Sequence, residues 1–243
     1  QVETPILISN DSSISRRMID AFNQQWLALN SVGTDDPFAA TRLPKIVTFT
    51  DNKSLRIGIT DALDVLQSQR RIAQLSNLTT ERVHSVTRNR RDIDAFVVFA
   101  KPDEIELINP IIEASLSSFA EVSLSVFATS RSYSQAQTTS SFRDLRHLTF
   151  SDMPWLLPEH DWPELAVRTK NLWPQRKDSL ARLYAMGYDA YSFIPKLRQL
   201  KTLPQLTSKG LTGQINIEAS GIIRRQLPWA KIEKNKVTIL GMD

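Results

Sequence analysis

One short segment combines side chains that could bind a metal ion or transfer a proton. Pro158-Glu-His-Asp-Trp-Pro-Glu164 places His160 among three acidic residues. The spacing matches no recognised metal motif, and neighbouring residues of one loop rarely converge on a single ion. We therefore interpret the segment as a solvated loop and predict no metal site. His84 and His147 are lone histidines, typical of surface or packing positions.

The sequence lacks the motifs of the common enzyme classes. Its seven glycines are scattered, so it contains neither a G-x-G-x-x-G fingerprint nor a Walker A loop. No G-x-S-x-G elbow is present either. There is no cysteine, which excludes disulfides and thiolate chemistry, and three histidines leave few options for a catalytic triad. We predict a protein that is not an enzyme, with no catalytic residues and no cofactor.

Polar side chains follow several predicted strands at the point where each strand ends. In open α/β sheets, ligands collect beyond the carboxyl ends of the strands. Short polar donors, two cations and a tyrosine would suit a small polar or anionic molecule, although the same residues could simply cap helices and form turns. The candidate ligand residues are Asn10, Asp11, Ser12, Lys101, Ser130, Arg131 and Tyr133.

Strands and helices alternate along the first 150 residues. Short apolar runs predict strands at residues 5–9, 45–50, 94–100, 124–129 and 148–155. Helical periodicity fills the intervals after residues 13, 53 and 101. The proline- and tryptophan-rich stretch from Trp155 to Pro174 is predicted to be irregular. This alternation predicts an α/β fold with a mostly parallel sheet.

The last quarter of the chain carries the clearest local pattern. A long amphipathic helix is predicted from about Ser179, with a kink at Pro195. Ile215 and Ile217 then alternate with polar residues, before a turn at 219–221. Period-two alternation beside a short glycine-containing turn predicts a hairpin with one buried face. A closing strand is predicted at 237–240.

Arginines crowd one stretch, although the net charge of the chain is only +4. Glu81 and Asp92 are the acidic residues nearby. The stretch is either a solvated surface or a contact for an acidic partner or anionic polymer. Nucleic acid is not expected, because no aromatic stacking pattern accompanies the charge. The arginines are Arg70, Arg71, Arg82, Arg88, Arg90 and Arg91.

Several stretches, in this order, resemble the LpoA (YraM) family of outer-membrane lipoproteins, which activate class A penicillin-binding proteins. They are AFNQQW, RNRRDIDAFVVFAKP, VFATSRSY, DMPWLL, RLYAMGYDAYSFIPKLRQLK and GLTGQINIEASGIIRRQLPWA. A helix that leads into a glycine-flanked hairpin also resembles the closing section of type I periplasmic solute-binding domains. The resemblance spans nearly the whole chain.

The resemblance implies a type I periplasmic-binding-protein-like fold of two lobes. Residues 1–153 would form the second α/β lobe, 154–208 the helical part of the first lobe, and 209–243 a hairpin and strand that return to the second. The opening half of the first lobe would precede Gln1, so the first lobe is expected to be incomplete. The helix from Ser179 would then expose an apolar stripe of Leu180, Leu183, Tyr184, Tyr191 and Ile194.

By the same resemblance, the chain would be a non-catalytic periplasmic regulator, held at the outer membrane by a lipid anchor outside this sequence. It would bind a class A penicillin-binding protein and stimulate peptidoglycan transpeptidation, with peptidoglycan as a second candidate partner. The alternative is a periplasmic solute-binding protein for a small polar ligand in the interlobe cleft. The candidate partner-binding residues are Arg70, Arg71, Arg88, Arg90, Arg91, Trp155 and Trp162.

Overall fold

The computed structural model describes residues 2–30, 43–78, 85–116, 124–175, 177–203 and 205–241. The chain divides into two compact units, unit 1 at Gln1–Ser132 and unit 2 at Tyr133–Asp243. The three-part division after residues 153 and 208, which the resemblance implies, stays a prediction. His84 and Arg82 lie outside the described residues.

Unit 1 alternates strands and helices as the sequence predicts. Its strands are β1 (Pro5–Asn10), β2 (Lys45–Phe49), β3 (Ala95–Phe99) and β4 (Ser125–Ala128). Its helices are α1 (Ser13–Leu29), α2 (Asn52–Ala62), α3 (Val65–Leu78) and α4 (Pro102–Ser115), followed by a 3₁₀ turn at Ser130–Ser132. The strands pair in parallel in the order β2–β1–β3–β4. The prediction of an α/β fold with a mostly parallel sheet is confirmed.

The core of unit 1 lies where the central strands meet the helices. In β1, Ile6, Leu7 and Ile8 are fully buried, as a parallel strand covered on both faces requires. Ile105, Ile108 and Ile112 repeat at helical spacing on α4 and are equally buried. Pro110 lies inside α4, which begins at Pro102.

One predicted helix of unit 1 is two helices in the structure. The sequence indicates a continuous helix from Lys53 to about Leu75, whereas α2 ends at Ala62 and α3 begins at Val65. Asp64 between them has φ 56°, in the left-handed region. A non-glycine residue in that conformation cannot continue a right-handed helix, so α3 departs in a new direction.

Unit 2 is mainly helical and antiparallel. Its helices are α5 (Thr139–Asp144), α6 (Pro163–Leu172), α7 (Asp178–Phe193) and α8 (Leu197–Thr202). Its strands are β5 (Thr149–Ser151), β6 (Ser208–Gly210), β7 (Gly213–Ile217), β8 (Ile223–Gln226), β9 (Trp229–Glu233) and β10 (Lys236–Gly241). Strands β6, β7 and β8 form one antiparallel sheet, and β9 pairs antiparallel with both β5 and β10.

Three predictions for unit 2 need correction. The stretch from Trp155 to Pro174 is not irregular, because Pro163 occupies the first turn of α6, where its missing N–H costs nothing. The strand predicted at 148–155 shortens to β5, and a 3₁₀ turn at Pro154–Leu156 follows it. The closing strand belongs to a second hairpin, β9–β10, whose turn residues Lys234 and Asn235 both have positive φ.

The hairpin and the kinked helix are confirmed, but the buried face of the hairpin is confirmed only for β7, because all four residues of β8 are exposed. Ile217 pairs with Ile223 across the β7–β8 turn, and Gly221 takes φ 86° there. Ile215 and Ile217 are buried on one face of β7. Pro195 lies in a 3₁₀ turn at Ile194–Lys196 that separates α7 from α8, since proline cannot continue the hydrogen-bond ladder of α7.

Helix α7 has two faces of different character. Ala181, Ala185, Asp189 and Phe193 recur every four residues and are buried. Leu180, Leu183, Tyr191 and Ile194 form an apolar stripe that is more than half exposed at every position. The predicted exposed stripe is thus present, except that Tyr184 packs partly into the core beside Trp155.

Candidate functional site

The carboxyl ends of the strands of unit 1 meet as the α/β fold predicts. Asn10, at the end of β1, donates from Nδ2 to Glu104 Oε1 on α4 at 2.8 Å. Ser132 donates to the Ala100 carbonyl at 2.8 Å, which holds the segment after β4 against the end of β3. The predicted ligand residues Lys101, Ser130 and Arg131 therefore lie at the same edge of the sheet as Asn10.

The polar groups at this edge are largely engaged with one another. Asn10 Oδ1 accepts from the Ser12 backbone N–H at 3.2 Å and from Ser15 Oγ at 2.7 Å. Ser12 Oγ accepts the Ser15 N–H at 3.2 Å and so caps α1. Asp11 pairs with Arg16 at 3.4 Å on the surface. These residues act as a turn and a helix cap, which was the other interpretation of the sequence.

Lys101 and Arg131 also have partners in unit 1. The Lys101 backbone N–H donates to Glu104 Oε2 at 2.8 Å, which begins α4. Arg131 Nη1 lies 3.9 Å from Met18 Sδ on α1. The Lys101 side chain is exposed and Arg131 is half-buried. A role for these cations in binding a ligand stays a prediction.

Tyr133 is assigned to unit 2. It is the first residue of unit 2, is only 8% exposed, and stacks on Phe150 with ring centroids 4.7 Å apart. Burial, with a contribution from Asp152, raises the pKa of Tyr133 to about 12. That Tyr133 lines a ligand cleft stays a prediction.

The arginine-rich stretch forms a surface built from α3 and the segment that precedes β3. The Arg88 backbone N–H donates to Ser68 Oγ on α3 at 3.0 Å, and the Arg90 N–H donates to the Leu63 carbonyl at 3.0 Å. Arg70, Arg71, Arg88 and Arg91 are exposed and Arg90 is half-buried. The structure therefore brings the five described arginines of the predicted partner surface onto adjoining segments.

Only one of these five arginines has an acidic partner within the described ranges. Arg90 forms a fork-like pair with Asp92, in which Nε donates to Oδ1 at 3.0 Å. The hydrogen bond lowers the pKa of Asp92 and raises the pKa of Arg90. The charges of Arg70, Arg71, Arg88 and Arg91 are not neutralised by an ion pair in the part of the chain that the structure describes.

Trp155 is a core residue and not a surface contact. It is 2% exposed and packs with Leu156, Ala181, Ala185 and Leu211. Its ring also stacks on His160 with centroids 5.1 Å apart. The prediction that Trp155 contacts a partner is corrected by this burial, which follows from its apolar area.

His160 and Trp162 lie at the margin of the same cluster. His160 Nδ1 accepts the Trp162 backbone N–H at 3.2 Å, and Trp162 is half-buried. The rest of the segment from 158 to 164 is exposed, as the prediction of a solvated loop requires, although its last two residues begin α6. Among the described residues, no group of three histidine, cysteine or acidic side chains could hold a metal ion. Trp162 stays a predicted partner contact.

Two buried carboxylates of unit 2 were not singled out from the sequence. Asp152 is fully buried and pairs with Arg182 of α7, whose Nη2 donates to Oδ2 at 2.7 Å. Burial raises the pKa of Asp152, although the arginine opposes the shift. Asp189 of α7 accepts from the backbone N–H groups of Leu211 and Thr212, both at 2.8 Å. Both aspartates fix α7 to the rest of unit 2.

Sequence patterns indicate only weakly that these two aspartates are buried. Asp152 lies in DMPWLL, and Asp189 and Thr212 lie in the two C-terminal stretches that carry the family resemblance. The sequence alone does not show that Asp189 is buried, or that it accepts a hydrogen bond from Thr212, 23 residues further along the chain. A polar residue on the buried stripe of a helix is the only local indication.

The ends of α6 and α7 border an apolar pocket of about 590 Å³. Its lining joins the exposed stripe of α7 through Leu180. Among the described residues, no helix combines the length and apolar character needed to cross a membrane. The pocket lining is Leu172, Trp173, Pro174, Gln175, Leu180 and Tyr184.

Comparison with known proteins places the chain in a family. The family model described as "LppC putative lipoprotein" matches residues 2–235. The penicillin-binding protein activator LpoA of Photobacterium profundum is 32% identical over 235 residues, which are 96% of this chain and 36% of that relative. The chain thus spans about a third of the length of the curated relatives it matches.

Solved structures agree on the fold. The C-domain of LpoA (YraM) from Haemophilus influenzae, described as a regulator of PBP1A, matches with a TM-score of 0.66 at 19% identity, over 98% of this chain and 62% of that one. A Chromobacterium violaceum protein named for branched-chain amino acid ABC transport matches with a TM-score of 0.53 at 20% identity, over 94% and 58%. The predicted periplasmic-binding-protein-like fold and the resemblance to LpoA are confirmed. Because the family model covers almost every residue, this chain belongs to the LppC lipoprotein family, which includes the LpoA proteins.

Proposed function

We propose that this chain is a non-catalytic part of a lipoprotein that activates a class A penicillin-binding protein. The observation that carries the proposal is the family match over residues 2–235, together with curated relatives that are named penicillin-binding protein activators. The partner in the proposal is the synthase, and the effect is stimulation of peptidoglycan transpeptidation. Peptidoglycan itself is a second candidate partner.

The buried acidic groups of unit 2 support a structural role in place of catalysis. Asp152 is bound to Arg182, and Asp189 is bound to Leu211 and Thr212. A catalytic acid or base needs access to a substrate within hydrogen-bond distance. The oxygens of both carboxylates instead accept hydrogen bonds from other residues of unit 2. For this reason we propose a binding function for the chain.

The proposed mechanism is activation by contact. A regulator can shift a two-state enzyme toward its active state only if it binds that state more tightly than the inactive one. A tenfold preference corresponds to about 1.4 kcal/mol, which one or two well-packed contacts can provide. The chain therefore needs a surface whose contacts form fully only on the active synthase.

The proposed location is the periplasm, with attachment to the outer membrane by a lipid anchor in the full-length lipoprotein. The family description as a lipoprotein supports attachment to a membrane through lipid. The partner synthase works on the cell wall, and an activator by contact has to share that compartment. The anchor is proposed for the longer protein and not for the residues described above.

The alternative function, a solute-binding protein with a small polar ligand, is not favoured. Likeness to the branched-chain amino acid transport protein is at 20% identity and establishes the fold alone. In unit 1, the oxygens of Asn10 and Ser12 serve a turn and a helix cap. A ligand there would have to replace these internal bonds before gaining its own.

The testing experiment measures binding of the purified chain to the cognate class A penicillin-binding protein, with transpeptidation assayed in parallel. A second sample fuses the chain to the remaining part of a curated relative. The matched control is the solute-binding protein of similar fold, which should neither bind nor stimulate. Saturable binding with increased cross-linking supports the activator. Absence of binding by both samples contradicts it, and stabilisation by a small molecule would then favour the alternative.

A further inference from the structure

Helix α3 is weakly anchored to the core of unit 1. Of its 14 residues only Ser68 is buried. Leu75 is 57% exposed and Leu78 is 82% exposed. A helix of this length gains most of its stability from burial of an apolar face, which α3 does not achieve within the described residues. An apolar contact from another molecule would supply that burial.

The exposed leucines are aligned with arginine on one side of α3. Arg71, Leu75 and Leu78 follow the spacing i, i+4, i+7, which places them in one stripe. Ser68 precedes Arg71 by one turn, and its Oγ holds the Arg88 backbone at 3.0 Å. Arg88 therefore extends the stripe across the neighbouring segment. We call this set, Arg71, Leu75, Leu78 and Arg88, the α3 surface.

Within the described part of the chain, no ion pair compensates the charges of the α3 surface. The nearby acid Asp92 is engaged by Arg90, and no ion pair of Arg71 or Arg88 occurs within the described ranges. Arginine is enriched at protein interfaces, and arginines on the same surface as exposed leucines offer a partner both charge and apolar area.

The residue types indicate the chemistry of the partner. All six cations between residues 65 and 92 are arginine and none is lysine. The guanidinium group offers a planar fork of donors that fits a carboxylate with two parallel hydrogen bonds. No phenylalanine, tyrosine or tryptophan occurs in the same interval. Membrane-surface helices and single-stranded nucleic-acid sites use such aromatics, so a carboxylate-bearing protein surface fits better.

We propose that the α3 surface is the contact through which this chain binds the penicillin-binding synthase, and that it fits an acidic surface patch with an apolar patch beside it. This inference rests on the proposed function and names the surface that carries it out. Carboxylates of the synthase pair with Arg71 and Arg88, and Leu75 and Leu78, which follow Arg71 along α3, are buried beside these ion pairs.

The test compares two charge-reversal variants of the full chain. R71E/R88E changes the α3 surface, and R143E/R198E makes the same charge change at exposed arginines of α5 and α8 in unit 2. Binding to the purified synthase is measured by interferometry at low and high salt, with circular dichroism to establish that each variant is folded. L75S serves as an uncharged third variant.

We expect R71E/R88E to weaken binding at least about tenfold at low salt and to remove most of the salt dependence, because exposed charge pairs are screened at higher ionic strength. L75S weakens binding without altering the salt dependence. R143E/R198E binds like the unmodified chain. If both double variants bind equally well, the α3 surface is not the contact, while the proposed function stands.

Two further outcomes overturn the inference. If the unmodified chain fails to bind the synthase, the proposed function and the α3 surface fall together. If the chain binds vesicles of mixed zwitterionic and anionic phospholipid, and R71E/R88E abolishes that binding but not binding to the synthase, the surface serves a membrane and not the enzyme. Each result is distinct from loss of folding, which circular dichroism detects.

Discussion

Asp189 on α7 lies 2.6 Å from Thr212 Oγ1 and receives this hydroxyl together with two backbone N–H groups of the loop between β6 and β7. One buried carboxylate thus satisfies three donors and joins the longest described helix of unit 2 to its three-stranded sheet. Charged groups are kept in a protein interior only when such partners compensate for lost hydration.

Replacing Asp189 with alanine should destabilise unit 2 strongly. The Leu211 and Thr212 N–H groups would be left without acceptors in a site where both residues are fully buried. Loss of hydrogen bonds to a charged acceptor costs about 2–4 kcal/mol of unfolding free energy. Urea unfolding monitored by circular dichroism measures it. D189N, which keeps one acceptor oxygen, should lose less, and E113A on the exposed side of α4 should change little. If D189A and E113A have equal unfolding free energies, the Asp189 carboxylate does not stabilise the contact between α7 and the loop from β6 to β7.

Two glycines of unit 2 should respond in opposite directions to alanine. A Cβ on Gly210 would stand 2.5 Å from Asp189 Oδ2, whereas a Cβ on Gly187 would meet nothing within 4 Å. G187A lies inside α7 and should raise the unfolding free energy by about 0.5–1 kcal/mol, because alanine favours the helix and glycine does not. G210A should lower it by about 1–3 kcal/mol through the clash.

The same unfolding assay compares the two glycine variants directly. Each adds one methyl group, so a difference in sign reports only the surroundings of the two positions. Stabilisation by G210A would show that the loop and Asp189 move apart without loss of their hydrogen bonds. Destabilisation by G187A would show that the face of α7 at this position is covered in solution.

The sequence predicts what is decided locally and fails where distant residues meet. Continuous apolar runs predict β1 and β3, and the alternation of Ile215 and Ile217 predicts β7, because each pattern reflects burial of its own element. The arginine-rich surface is also local, since its members are close in the chain. Asp152 and Arg182 are 30 residues apart, and no local pattern shows that they pair. The β9–β10 hairpin was missed because Lys234-Asn235 is a weak turn signal beside the glycine-containing pairs.

Removal of the Arg182 guanidinium should destabilise the protein most near neutral pH. R182M keeps the apolar stem but leaves the Asp152 carboxylate buried without its cationic partner, which costs about 3–5 kcal/mol. Burial raises the folded-state pKa of Asp152. For an acid of raised pKa, the folded state is favoured while the group is protonated, and stability is lost as the pH rises through that pKa.

The pH dependence separates this mechanism from loss of packing. The difference in unfolding free energy between R182M and the unmodified chain should be small in acid, where Asp152 is protonated in both, and grow toward neutral pH. R182M/D152N should recover most of the loss at neutral pH, because it removes the buried charge. A difference that stays constant from acid to neutral pH contradicts the role of the ion pair.

Tyr133 should make the protein sensitive to alkali over a defined range. Its folded-state pKa is raised to about 12, above the ordinary value of 10.0, mainly by burial. Between these values the folded chain holds a proton that the unfolded chain has released, so Tyr133 lowers stability as the pH rises through this window. Y133F should show a shallower decline in unfolding free energy there, while Y191F, at a residue 79% exposed, should follow the unmodified chain. Ultraviolet absorbance of tyrosinate should show one tyrosine that ionises near pH 12 in the unmodified chain and is missing in Y133F. A Tyr133 that titrates at its ordinary value would mean that its stacking on Phe150 opens in solution.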